Sequence, residues 1–388
     1  MNNKIGISKF GLLTTFSFFI LSFLGRILFP FGDEPDFEVR APGVLYDEHL
    51  WWSPYYLLHD LFLYLNPISS CQMIESRISL YIDIGADCFE SIEQITIRLF
   101  ITLLLISPLL FAITFRKIFI SIMDKLNFKL TKKDWNNRLD ALSLSLIFPS
   151  MIYYLGVFSE EQFTLILSLY IFLFWRFSIT ILFLVTLIVL IDVGNGIVVF
   201  TFIIFAYLFI WIYQKFNFKV SILFMLSIIL FAYITGISLL IYLNDMIFLS
   251  SKIQSMYENA IVAYDKYPIL LRPIITYMTA VFMTANGIKV VIVYILFGVL
   301  FCYMLIKLVK NYNHYKQYNY NLILFYNVFT VILFFIFMFP DYTFAKYYMF
   351  MMPFILMIFL FVFNKFNVYK IVLFGNFVIF IHLIIYRL

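Results

Sequence analysis

The sequence predicts an all-α polytopic membrane protein of about ten or eleven transmembrane helices, with a long extracytoplasmic first loop. Three observations predict it. Hydrophobic residues make up 64% of the 388 and charged residues only 13%, about half the charge that a soluble domain carries. So apolar a chain cannot hide its side chains in a core of its own, because surface outruns volume. The apolar runs approach the ~20 residues that cross ~30 Å of hydrocarbon. They are rich in Phe, Leu and Ile without period-2 alternation, which argues against an outer-membrane barrel.

Lys4 and Lys9 precede the first apolar run, Gly11–Pro30. It has no small-residue cleavage site and is read as a retained span. Residues 32–95 follow as the longest polar stretch, with more than half of the chain's 22 acids and only Arg40 and Arg77 as bases. The second span is expected at Ile97–Phe115. It empties into a basic segment with Arg116, Lys117, Lys125, Lys129, Lys132, Lys133 and Arg138. Lys/Arg-rich short loops stay in the cytoplasm, so this segment is expected inside and the acidic loop outside, with a cytoplasmic N-terminus.

Further spans are expected at Leu142–Phe158, Phe163–Trp175, Ile179–Ile191, Ile197–Tyr213, Ser221–Leu243, Val290–Leu308, Leu322–Phe339, Met349–Phe363 and Val372–Tyr386. Lysine-bearing links at Lys215 and Lys219, Lys307 to Lys316, and Lys365 and Lys370 suit the cytoplasmic side. The whole reads as a single membrane domain, residues 1–388, with outer elaborations at 32–95 and 244–273. The Trp- and Tyr-rich stretch Leu50–Leu65 suits an interfacial helix within the first loop. Three cysteines exclude a disulfide scaffold. Cys71 and Cys88 share a loop and either pair in an oxidising compartment or stay as thiols; Cys302, in an apolar run, is expected to pack.

There is no Walker-type phosphate loop, GxGxxG, HExxH or GxSxG. Four scattered histidines argue against a zinc site, and a net charge of +5 is modest; no nucleic-acid partner is expected. The strongest constellation is Gly32-Asp33-Glu34-Pro35-Asp36-Phe37-Glu38, directly after the first span. A carboxylate there can take the proton of an attacking hydroxyl, and Asp33 with Asp36 can hold Mg²⁺ or Mn²⁺ against a departing phosphate. The plain alternative is a solvated loop that sets topology. Asp47, Glu48 and His49 form a second group. Arg40, Arg272 and Lys346, with Arg26 near the end of the first span, are the cations available to a phosphate on that face; the alternative for each is a snorkelling interfacial base. Glu160 and Glu161 fill a short outer turn and either line the same cavity or simply solvate it. Asp192, beside an apolar run, is either an intramembrane functional acid or part of a glycine-rich surface loop.

This layout resembles the GT-C superfamily, polytopic glycosyltransferases that use polyprenyl- or dolichyl-phosphate-linked sugars. The resemblance rests on a first span, an acid-led outer loop and many later spans. The family's acidic motif would map onto Asp33, Glu34 and Asp36. Pro149–Tyr153, leading into Glu160-Glu161, resembles its mid-chain segment. The late Lys346-Tyr347-Tyr348…Pro353 segment also resembles it, with Lys where that pattern usually has Arg. Wzy-type polysaccharide polymerases are similar in size and composition, with their main loop later in the chain. The resemblance implies catalytic Asp33, Glu34 and Asp36, a sugar donor held by Arg40, Arg272 or Lys346, and a sugar, glycan or lipid acceptor. It implies work at the lipid bilayer of a bacterial inner membrane in polysaccharide or glycolipid assembly. A lipid-linked sugar transporter or flippase is the rival class.

Overall fold

The computed structural model describes residues 7–28, 92–128, 130–156, 160–244, 319–338 and 345–387, with 299, 302–303 and 305–310. Their regular structure is entirely helical. Four helices are long and apolar enough to cross a membrane, or up to six if each of two sharply bent pairs is one span. The chain is a multi-pass, all-α membrane protein.

It divides into two compact units, Met1–Gly196 with Val372–Leu388, and Ile197–Ile371. In the first, α1 (Lys9–Leu28) starts where Ser8 Oγ accepts the Gly11 N–H at 3.1 Å, an N-cap. Helix α2 (Ile92–Thr114) runs antiparallel to it. The Ser8 N–H donates to the Thr114 carbonyl at 2.9 Å, and the Thr15 and Thr114 hydroxyls lie 3.0 Å apart. Gly11 permits this approach, since a Cβ there would collide with the Ile113 carbonyl oxygen.

A 95° bend separates the end of α2 from α3 (Arg116–Lys125). Arg116 Nε donates to the Ile113 carbonyl at 3.0 Å, occupying an acceptor in the last turn of α2. Helix α4 (Lys132–Leu146) opens with a reciprocal cap. Thr131 Oγ1 accepts from the Asp134 N–H at 3.1 Å and donates to Asp134 Oδ2 at 2.8 Å. The basic segment, read from sequence as a link, is therefore two helices, in which Arg116 and Arg138 are buried.

The span expected at Leu142–Phe158 is broken. Helix α4 stops at Leu146 and α5 (Pro149–Gly156) continues at 75°. Pro149 has no N–H to continue the ladder and its ring collides with the preceding turn. Asn376 of the last helix covers the break, its Nδ2 donating to the Ile147 carbonyl at 2.7 Å. Helices α6 (Glu160–Leu173) and α7 (Ser178–Ile191) have 14 residues each, about 21 Å, shorter than the full crossings the sequence suggested. The turn between them holds Arg176 at φ 102°. Asp192 alone joins α7 to α8 (Val193–Lys215).

The second unit takes in most of α8, then α9 (Phe218–Asn244), α10 (Asn319–Met338) and α11 (Met352–Val362); α12 (Lys365–Arg387) ends back in the first. Gly236 of α9 lies against the Phe337 carbonyl of α10, a position that no side chain could share. Phe202 sits between Phe350 and Phe354, with ring centroids at 5.5 and 4.9 Å. Outward faces stay apolar: Ile179 is 87% exposed and Leu223 65%, as lipid-facing side chains are. Cys302 is exposed too, rather than packed in.

Candidate functional site

The Gly11–Ile113 contact fixes the register of α1 against α2. Both helices rise equally per residue, so fifteen residues on from Gly11 and fifteen back from Ile113 two residues come level: Arg26 and Arg98. Both are buried, at 6% and 3% exposure. Their guanidinium charges are close enough to repel one another. Arginine stays ionised almost everywhere, so two buried cations are gathered at this end of the unit.

Neutral groups from the next helices complete the spot. Arg26 Nη1 donates to the Gly156 carbonyl, at the last residue of α5, at 3.1 Å. Gln162 Nε2, one turn into α6, donates to the Leu155 carbonyl at 2.6 Å and to Thr102 Oγ1 at 3.3 Å. Thr102 lies one turn from Arg98 on α2, which brings four helix ends together. A second polar group belongs to the same end of α6. Asp192 Oδ1 caps α8 by accepting from the Gly194 and Asn195 N–H groups at 2.7 and 3.3 Å. Asn195 Nδ2 reaches Asp192 Oδ2 and, at 3.4 Å, Thr164 Oγ1. Asp192 is thus a helix cap that also orients an asparagine.

Of the residues singled out in the sequence, Glu160 and Glu161 are half-buried in the first turn of α6, where the helix dipole favours carboxylates. Lys346 belongs to the second unit, in a one-turn 3₁₀ helix, with its Nζ 5.4 Å from the centre of the Tyr347 ring. Asp33, Glu34, Asp36, Arg40, Asp47, Glu48, His49 and Arg272 lie outside the described residues, as do Cys71 and Cys88. Among the described residues no three His, Cys, Asp or Glu side chains gather into a metal site.

Sequence reasoning named Arg26 only in passing and missed Arg98, Gln162 and Asn195. One signal was there for Arg98. It is the lone base at the head of the second span, on the flank expected from sequence to lie outside, where the positive-inside rule disfavours one.

The opposite end of the unit carries charge of another kind. Arg116 Nη1 and Asp140 Oδ1 are 2.5 Å apart in a buried ion pair. Arg138 Nη1 donates to the Leu173 carbonyl, the last of α6, at 2.7 Å, where a cation suits the helix C-terminus.

The chain matches no protein-family model, no curated protein and no solved structure.

Proposed function

We propose that this protein is a membrane glycosyltransferase. It takes a sugar from a polyprenyl phosphate or diphosphate and adds it to a sugar, glycan or lipid acceptor in envelope polysaccharide or glycolipid assembly at a bacterial inner membrane. The observation that carries the reading is the buried Arg26–Arg98 pair. It lies at the point where the acid-rich residues 32–95 leave α1 and return to α2. A phosphate linked to an isoprenoid needs cations near an apolar surface, and guanidinium groups hold phosphate oxygens bidentately.

In this reading the acceptor hydroxyl attacks the anomeric carbon while Asp33 or Asp36 takes its proton. The bond from that carbon to the phosphate oxygen breaks, with inversion, and the polyprenyl phosphate leaves. Its charge grows on the departing oxygen, where Arg26 and Arg98 stabilise it. Arg40 and Arg272 remain further candidates for the head group, and Glu160 and Glu161 for the acceptor. A divalent cation, Mg²⁺ or Mn²⁺, would fall to Asp33 and Asp36 and would neutralise phosphate charge when bound.

The test is transfer by the purified protein from a radiolabelled polyprenyl-linked sugar to a native lipid extract, with and without EDTA. Asp33→Asn is expected to abolish label transfer at an unchanged protein level; wild-type transfer by that variant overturns the assignment. Loss with EDTA that Mg²⁺ restores would add the metal.

A transporter or flippase for the same lipids is the second reading. What favours it is Asn327, fully buried within the apolar α10. Its Nδ2 donates to the Phe202 carbonyl at 2.9 Å, while its Oδ1 accepts no hydrogen bond from the described residues. Flux of labelled lipid in proteoliposomes without transfer would select it.

A further inference from the structure

Helix α3 leaves the end of α2 at 95°, so it lies along the membrane plane when α2 crosses. Its side chains divide into three sectors at 100° per residue. Arg116, Phe119, Ile120 and Met123 are buried in the unit. Lys117, Ser121, Asp124 and Lys125 form an exposed polar sector. Ile118, Ile122 and Leu126, four residues apart, form an exposed apolar sector at 41%, 41% and 59%. A helix on a water-facing surface needs one apolar sector, for its own protein. This one keeps another after its packing is satisfied.

We propose that α3 is an interfacial anchor that binds anionic phospholipid in the cytoplasmic leaflet, independently of the transfer reaction. Acyl chains cover Ile118, Ile122 and Leu126, and the phosphate-bearing headgroups meet Lys117 and Lys125. Two independent features select this occupant. Exposed apolar side chains stand on both sides of the right-angled bend, Leu104 and Phe111 before it and Ile118 and Ile122 after it, as at a hydrocarbon boundary. Lys125 borders that sector, and Lys117 lies further round on the polar one, beside Asp124. Lys117 and Lys125 are exposed on α3, and Lys132 is exposed at the head of α4. Of the acids close by, Asp134 is held by the Thr131 hydroxyl, which leaves Asp124 on the water side. Lysines at a membrane surface attract anionic lipid, and basic links belong to the cytoplasmic side.

The full chain, with its three cysteines replaced by serine, would carry a spin label at Ile118→Cys or Asp124→Cys. It would be reconstituted in phosphatidylcholine vesicles with or without phosphatidylglycerol. The Ile118 label is expected to meet dissolved oxygen from the bilayer, and the Asp124 label a water-soluble relaxant. In native mass spectrometry, K117Q/K125Q is expected to retain less phosphatidylglycerol, by about five-fold per lysine, with phosphatidylcholine unchanged. K117R/K125R should behave as wild type, and elution as a single species checks that each variant is folded. An Ile118 label exposed to water would overturn the proposal. So would a label shielded from both relaxants, which would mean that protein covers α3, or undiminished phosphatidylglycerol on the glutamine variant.

Discussion

At the Arg116 end of the first unit a buried cation meets an anion, Arg116 against Asp140 at 2.5 Å; at the Arg26 end two buried cations come level on neighbouring helices. Both ends are built on α2, and both use carbonyls at helix termini: Leu173 for Arg138, and Gly156 for Arg26. The difference lies in how each end arranges its charge. An internal ion pair closes its own charge balance and holds α3 against α4. Buried guanidinium groups gathered at one end concentrate positive charge, which favours negative groups there, and Glu160 and Glu161 stand in the first turn of α6 at that end. In the transferase reading the donor's phosphate would also be held at the Arg26 end, whereas the Arg116 end would only hold helices together.

The largest effect should come from breaking the pair. Asp140→Leu leaves Arg116 buried beside an apolar group and is expected to cost about 3–5 kcal/mol, read as lost thermal stability in detergent. Adding Arg116→Met should restore most of it; an additive double variant would deny the pair its structural role. Arg98→Gln should act the other way. It should lower kcat/KM for transfer by about 10- to 100-fold, as loss of a hydrogen bond to a charged group does, with melting lowered less than by Asp140→Leu. If Arg98→Gln unfolds the protein and leaves transfer intact in what survives, the two ends are alike and the functional contrast is lost.

Gly11→Ala sharpens the comparison through register. The added methyl collides with the Ile113 carbonyl, so about 1–3 kcal/mol of stability should be lost. Transfer should fall further than stability, because the helix shift also separates Arg26 from Arg98. The smallest effect lies at neither end's chemistry. Arg176 holds a φ of 102°, a conformation that costs a side-chain-bearing residue about 1 kcal/mol or more. Arg176→Gly should therefore raise the melting temperature slightly and leave transfer alone.

Much of the scaffold was legible in the sequence. The apolar runs that became α1, α2, α8, α9 and α10 could be read directly. Misreadings arose where one residue interrupts a pattern. Pro149 sits inside a run that hydropathy treats as continuous, yet its missing N–H turns the chain through 75°. The segment from Arg116 to Arg138 reads as a cytoplasmic link by charge. Its apolar positions, Phe119, Ile120, Met123 and Trp135, nevertheless recur at helical spacing and are all buried. Asp140 was hidden for the same reason, as one acid in the half-polar stretch Arg138-Leu139-Asp140-Ala141.

The sequence by itself determined that this is a multi-pass helical membrane protein. Long apolar runs have only one stable environment, and in hydrocarbon each backbone N–H and C=O must be satisfied within its own helix. Only the tertiary structure decided which charges meet. Arg26 faces Arg98, and Arg116 faces Asp140, because Gly11 and Thr114 set how far α1 slides along α2, and because two bends redirect the helices that follow. Register between helices depends on the contact of whole surfaces across long sequence separations, and no local pattern of residues encodes it.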